Sequence, residues 1–101
     1  MSHPIETQVE AIRQYLEREF PGQVRHTWWD EATMAPVFEV AHETGCHHVI
    51  VDMEFFQAYQ DVIAGLRTSE LTDYMREARS QKRRFRVCEE GGEVHIRSTA
   101  L

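Results

Sequence analysis

The chain contains no asparagine at all, and only one of its eleven basic residues is lysine. Without asparagine there is no acceptor for N-glycosylation. No apolar run approaches the roughly 18 residues that a membrane-spanning helix needs. Residues 1–6, Met-Ser-His-Pro-Ile-Glu, hold neither a basic nor an apolar segment, so no secretion signal is expected and the cytoplasm is the expected compartment. There are only two cysteines, Cys46 and Cys88, expected as free thiols in a reducing compartment. The sequence has no P-loop, GxGxxG, HExxH or GxSxG pattern. Phosphate cradling, dinucleotide binding and the commonest hydrolase chemistries therefore have no sequence support.

Positive charge is missing from a long stretch. Residues 26 to 66 hold no Lys or Arg, yet carry Asp30, Glu31, Glu39, Glu43, Asp52, Glu54 and Asp61. The net charge of −6 opposes non-specific attachment to nucleic acid or to an anionic membrane. What is present is ordinary for a globular chain: 42% hydrophobic and 28% charged residues in 101 positions, the size of a single domain spanning 1–101.

The periodicities predict an α+β fold in the order α-β-β-β-α-α-β-β, with helices packed on one face of an antiparallel sheet. Ile5, Val9, Ile12, Leu16 and Phe20 form the stripe of a first helix, with Pro4 in its first turn and Pro21-Gly22 as its stop. A strand follows over 24–29. Taking Thr44-Gly45 as a two-residue turn makes a hairpin in which Val40 opposes Val49, Phe38 opposes Val51 and His42 opposes His47. The other side of that hairpin carries Val37, Glu39, Ala41, Ile50 and Asp52, with Cys46 and His48 nearer the turn. Asp52 is placed to cap a helix bearing Phe55, Phe56, Tyr59, Val62, Ile63 and Leu66. Thr68 or Ser69 then caps a second one with Leu71, Tyr74, Met75 and Ala78 inward. A last hairpin turns at Gly91-Gly92, with Phe85, Val87, Val94 and Ile96 on one face and Arg86, Cys88, His95 and Arg97 on the other.

Three features invite a functional reading. Adjacent strand residues point to opposite faces, so only one of Trp28 and Trp29 can join the helix-covered core. Trp29 is the one expected on the second face, where it forms an apolar contact surface with Val37, Ala41 and Ile50 unless the loop from Asp30 to Pro36 folds over it. Six basic residues cluster as Arg76, Arg79, Lys82, Arg83, Arg84 and Arg86, and Arg76, Arg79 and Arg83 fall on one face if the helix continues. Such a stripe suits a nucleic-acid module, but the negative field of the whole chain makes an acidic protein surface the better match. Finally, Cys46, His48, Cys88 and His95 are zinc-type ligands that could converge if the hairpins join edge to edge. Cys88 beside His95 also resembles a thiol and its base, with Arg86 and Arg97 placed to lower the thiol's pKa. The spacing matches no zinc signature, so neither a stoichiometric metal nor any other cofactor is expected. The leading expectation is a non-enzymatic interaction domain, regulatory or chaperone-like, that forms a homodimer or meets a protein partner, away from membranes and nucleic acid. The alternatives are a nucleic-acid-binding module using residues 76–86 and a metal or thiol enzyme using the four Cys and His residues.

Overall fold

A computed structural model describes residues 5–101. The first element, α1 (Glu6–Glu19), buries Ile12, Tyr15 and Leu16 and ends at Phe20. Gly22, with φ of 72°, turns the chain into β1 (Val24–Asp30). The expectation that Pro4 opens the helix falls outside the described residues. The strands β2 (Ala35–Ala41) and β3 (Cys46–Val51) follow, then three helices, α2 (Met53–Ala58), α3 (Val62–Ser69) and α4 (Leu71–Glu77), and a closing hairpin of β4 (Arg83–Glu90) and β5 (Glu93–Ala100). The α+β class and the element order are those read from the sequence, with the first of the two middle helices broken in two. Tyr59 takes an extended conformation and the Asp61 carboxylate restarts the helix by accepting from the Ala64 N–H at 3.0 Å. Gly65 accounts for the fold at this break. A Cβ there would lie 2.9 Å from the Phe55 ring, so glycine lets Phe55 and Tyr59, stacked at 5.0 Å, lie on α3. The cap of α4 is Glu70, in a left-handed conformation and without a side-chain capping bond, not Thr68 or Ser69; Ser69 ends α3, and its Oγ accepts from the Leu71 N–H. Tyr74, expected inward, is exposed, and Thr72 is buried with Leu71 and Met75.

The five strands form one sheet in sequence order. It is mixed, not antiparallel: β3 and β4 run parallel while the other neighbours are antiparallel. The reason lies in the connection. A parallel pair needs a crossover of a dozen or more residues, usually helical, and residues 52–82 supply one that returns the chain to the end where β3 began. The Gly91-Gly92 turn has the positive φ values of a two-residue hairpin, 60° and 85°, and joins the Glu90–Glu93 pair as expected.

The β2–β3 register differs from the expected one by two residues. Phe38 pairs with Val49 and Val40 with His47, so Glu43-Thr44 is the turn, closed by the His42 N–H to Gly45 carbonyl bond of 2.7 Å. A slip of two preserves every side-chain face, so the expected core face stands. Gly45 lies just outside the turn, and it is glycine for a packing reason: a Cβ there would meet the Gln81 carbonyl oxygen at 2.9 Å. That close approach seats the hairpin end on the segment leading into β4.

Phe38, Val40, Val49, Val51, Phe85 and Val87 join buried residues from all four helices in one cluster. A second, small cluster of Ala35, Val37 and Ile50 contains no helical residue. These three come from the opposite face of the sheet, by the alternation along β2 and β3.

Candidate functional site

That second face carries most of the chemistry, and a bulge decides which tryptophan joins it. Val24 pairs with Val40 but His26 pairs with Glu39, so Arg25 is an extra residue in β1. One inserted residue reverses the alternation. Val24 packs against the main core, Trp28 then pairs with Val37, and Trp29 turns to the core side and packs there. The expected placement of Trp29 on the second face is therefore corrected to Trp28. Val37, Ala41 and Ile50 lie where expected.

Trp28 remains 39% exposed and sets its ring edge-to-face against His48 at 5.2 Å. Together with Asp30, Val37, His48, Ile50 and Arg84 it lines a pocket of about 320 Å³. The four-residue loop between β1 and β2 forms one wall of it through Ala32 and Thr33. Asp30 holds that loop by accepting from the Thr33 N–H and hydroxyl at 3.1 and 2.5 Å, contacts that lower its pKa. The loop thus shields the apolar floor of Val37 and Ile50, while the tryptophan at the rim stays accessible.

The four proposed zinc-type residues do not converge. Cys88 does lie across from His95, but the parallel pairing aligns Val51 with Val87 and His47 with Arg83. Cys46 is thereby six residues from Cys88 along the sheet, about 20 Å at the rise of a strand. An antiparallel β3–β4 pair was the arrangement that could have joined them. Cys46 and His48 instead gather Glu39, directly opposite His48, with donor atoms of all three within 4.8 Å of one another. Sequence reasoning missed Glu39 because the two-residue register difference set it across from Ile50. Placing the turn at Glu43-Thr44 would have found it.

The thiol reading of Cys88 also changes. Burial, then the Asp52 carboxylate, raise its pKa, and these outweigh the lowering by Arg97. Arg86 is held by Asp52, Nε to Oδ1 at 2.7 Å, and Arg97 pairs with Glu90. Asp52 accordingly stands at the N-cap of α2 by position, without a side-chain capping bond. A protonated, buried thiol is a poor nucleophile.

The basic residues do not form a stripe. Helix α4 ends at Glu77, and Arg83, Arg84 and Arg86 belong to β4, where successive side chains alternate. Arg76 binds Glu19 at 3.0 Å and lies over the Phe20 ring, Arg83 donates to the Ser98 hydroxyl, and Arg84 and Arg86 fall on the second face. Arg79 borders a hollow with His42 and Arg76, and Lys82 precedes the strand. The helical stripe on which the nucleic-acid reading relied is therefore not formed by these residues.

A titratable pair sits on the core side. His47 is fully buried, and its Nε2 lies 2.9 Å from the Ala78 carbonyl. A carbonyl only accepts, so Nε2 carries the proton and Nδ1 is a lone pair. That lone pair accepts from His42 Nε2–H at 2.7 Å. Burial and then the neighbouring His47 push His42 down to about 4, and burial also lowers His47. Both rings are neutral at pH 7 and bind the β2–β3 hairpin to the end of α4.

Among the described residues no helix is long and apolar enough to cross a membrane. Comparison with protein-family models, with characterised proteins and with solved structures finds no match to the chain.

Proposed function

We propose that the chain is a non-catalytic binding domain that associates with a second copy of itself through the second face of its sheet, with Trp28 at the centre of the contact. The observation that carries this reading is an exposed tryptophan at the rim of a pocket with an apolar floor. Tryptophan dominates contact energies because it buries a large rigid surface at low entropic cost. The same patch offers both a projection and a hollow, as a twofold, self-complementary contact requires. Asp30 and Arg84 at the pocket wall have opposite charge, so a twofold-related copy can set each against its counterpart. The protonated state favoured at Cys88 and the salt bridge occupying Asp52 weigh against a catalytic reading. Two cysteines kept as separate thiols fit a cytoplasmic setting.

Light scattering coupled to gel filtration tests the proposal. A dimer is expected at roughly 100 µM, the range in which a modest interface is populated. Trp28→Ala should return the protein to a monomer, whereas Tyr74→Ala, at an exposed site on α4, should not. A wild-type monomer at that concentration would overturn the homodimer.

A further inference from the structure

We infer that Glu39, Cys46 and His48 form a binding site for one divalent transition ion with zinc's ligand preferences. The strand geometry builds the site. Cys46 and His48 are two residues apart on β3, so their side chains share the second face. Glu39 on β2 is the direct cross-strand partner of His48, and Ala41 that of Cys46. The small Ala41 side chain leaves room beside the thiol for a long carboxylate arm to reach in from Glu39. All three residues are partly buried, and one donor atom from each lies within 4.8 Å of the others.

The distances suit a shared ion. His48 Nε2 and Glu39 Oε1 are 3.2 Å apart. Two bonds of about 2.0–2.1 Å at a tetrahedral angle place their donor atoms about 3.3 Å apart, so these two ligands are already spaced for one metal. The hydrogen bond between them accounts for that pair alone, but not for a thiol brought to the same point. A metal–sulfur bond of about 2.3 Å asks the thiol to lie roughly 3.6 Å from the other donors, within reach of a side-chain rotation.

The charges agree as well. One carboxylate and one thiolate neutralise a divalent cation. Arg84, beside His48 on β4, opposes the ion, but it lies within electrostatic reach of Asp30. Trp28 packs edge-to-face against the His48 imidazole and covers it on that side. A thiolate, an imidazole and one carboxylate select zinc, cobalt or nickel over calcium and magnesium, which take oxygen ligands in higher number. Three protein ligands leave a fourth position for water, so the ion would clasp β2 to β3 near their turn. The site takes its ligands from one chain, although His48 also lines the pocket proposed above as the contact surface, and the metal titration reads the ligands without requiring a dimer.

Cobalt titration of untagged, chelator-stripped protein tests it. Co²⁺ should bind at one equivalent with a thiolate-to-metal charge-transfer absorption, which Zn²⁺ then displaces and Mg²⁺ does not. The charge-transfer band should vanish in Cys46→Ser and persist unchanged in Cys88→Ser. Glu39→Gln, a partly exposed site whose change keeps the side chain's shape, should weaken binding at least about tenfold with an unaltered circular dichroism spectrum. Absence of the band in the wild type would overturn the proposal. So would its survival in Cys46→Ser, its loss in Cys88→Ser, or undiminished affinity in Glu39→Gln.

Discussion

The two faces of the sheet use the same alternation for opposite ends. On the core face Phe38, Val40, Val49, Val51, Phe85 and Val87 are essentially inaccessible, and the fully buried His47 beside them has both ring nitrogens bonded. On the other face the buried apolar cluster is only Ala35, Val37 and Ile50, and it is surrounded by Trp28, His48, Glu39, Arg84 and the Asp52–Arg86 pair. The first face has the composition that drives folding. The second holds groups that cost stability or add little to it, and such groups are found where a surface has another use.

Substitutions on each side can break this contrast. Phe38→Ala, in the centre of the core face, should cost about 3–5 kcal/mol. That is a large share of the stability of a domain this size, so a denaturant titration should show a much lower midpoint or no folded baseline. A loss below about 1 kcal/mol would show that the core face is not the folding element. Gly45→Ala should cost roughly 1–3 kcal/mol, because the new methyl meets backbone at Gln81 instead of a side chain that can swing away. An unchanged melting temperature would mean that the hairpin end does not sit tightly on the segment before β4.

The histidine pair sharpens the comparison through pH. His42 is lowered in the folded chain relative to its ordinary value near 6.5, reaching about 4, and His47 is lowered too. Between those limits the unfolded chain binds more protons than the folded one, so unfolding free energy rises with pH in that window. The contribution is complete above about pH 6.5, declines as the pH falls, and levels off below about 4. Glu43, Arg76 and Arg79 border the His42 hollow and screen the pair along with solvent. The expected loss is therefore roughly 1–2 kcal/mol, not the full linkage value. Denaturant midpoints measured with chelator at pH 7 and pH 4.5 should show it, and His42→Gln should flatten the dependence. A pH profile unaltered in that variant would place the titrating groups elsewhere.

The smallest effect on stability belongs to the second face. Trp28→Ala should change unfolding free energy of the monomer by no more than about 1 kcal/mol, since the ring is partly solvated and its removal opens no enclosed cavity. Its effect is expected in association, as described above. A cost comparable to that of Phe38→Ala would erase the distinction between the faces.

Much of this architecture was legible from local pattern. The α1 stripe, the stop at Pro21-Gly22, the Gly91-Gly92 turn and the opposition of Cys88 and His95 all depend on residues near in sequence or on counting outward from a tight turn. The candidate site was legible only in part. The alternation alone places Val37, Ala41 and Ile50 on the second face, because even a two-residue register shift leaves the face unchanged. Strict alternation puts Trp29 there too, but the bulge at Arg25 inserts an odd residue and reverses the count, so Trp28 takes that face. Glu39 escaped notice for a related reason, since its nearness to His48 depends on which two residues form the turn. An arginine stripe over 76, 79 and 83 requires a helix through residue 83, where the chain has already entered β4.

The sequence by itself determined the kinds of element, their order and the chemical character of each strand face, because helical and strand periodicity, turn residues and caps act over a few neighbouring positions. Only the tertiary structure decided that β4 runs parallel to β3, that Trp28 and not Trp29 reaches the second face, and that Glu39, Cys46 and His48 come together. Each of these is a relation between strands. Direction follows from where a helical crossover delivers the chain, and facing follows from hydrogen-bond register. Both are settled by packing the helices and the Gly45 contact against residues far away along the chain.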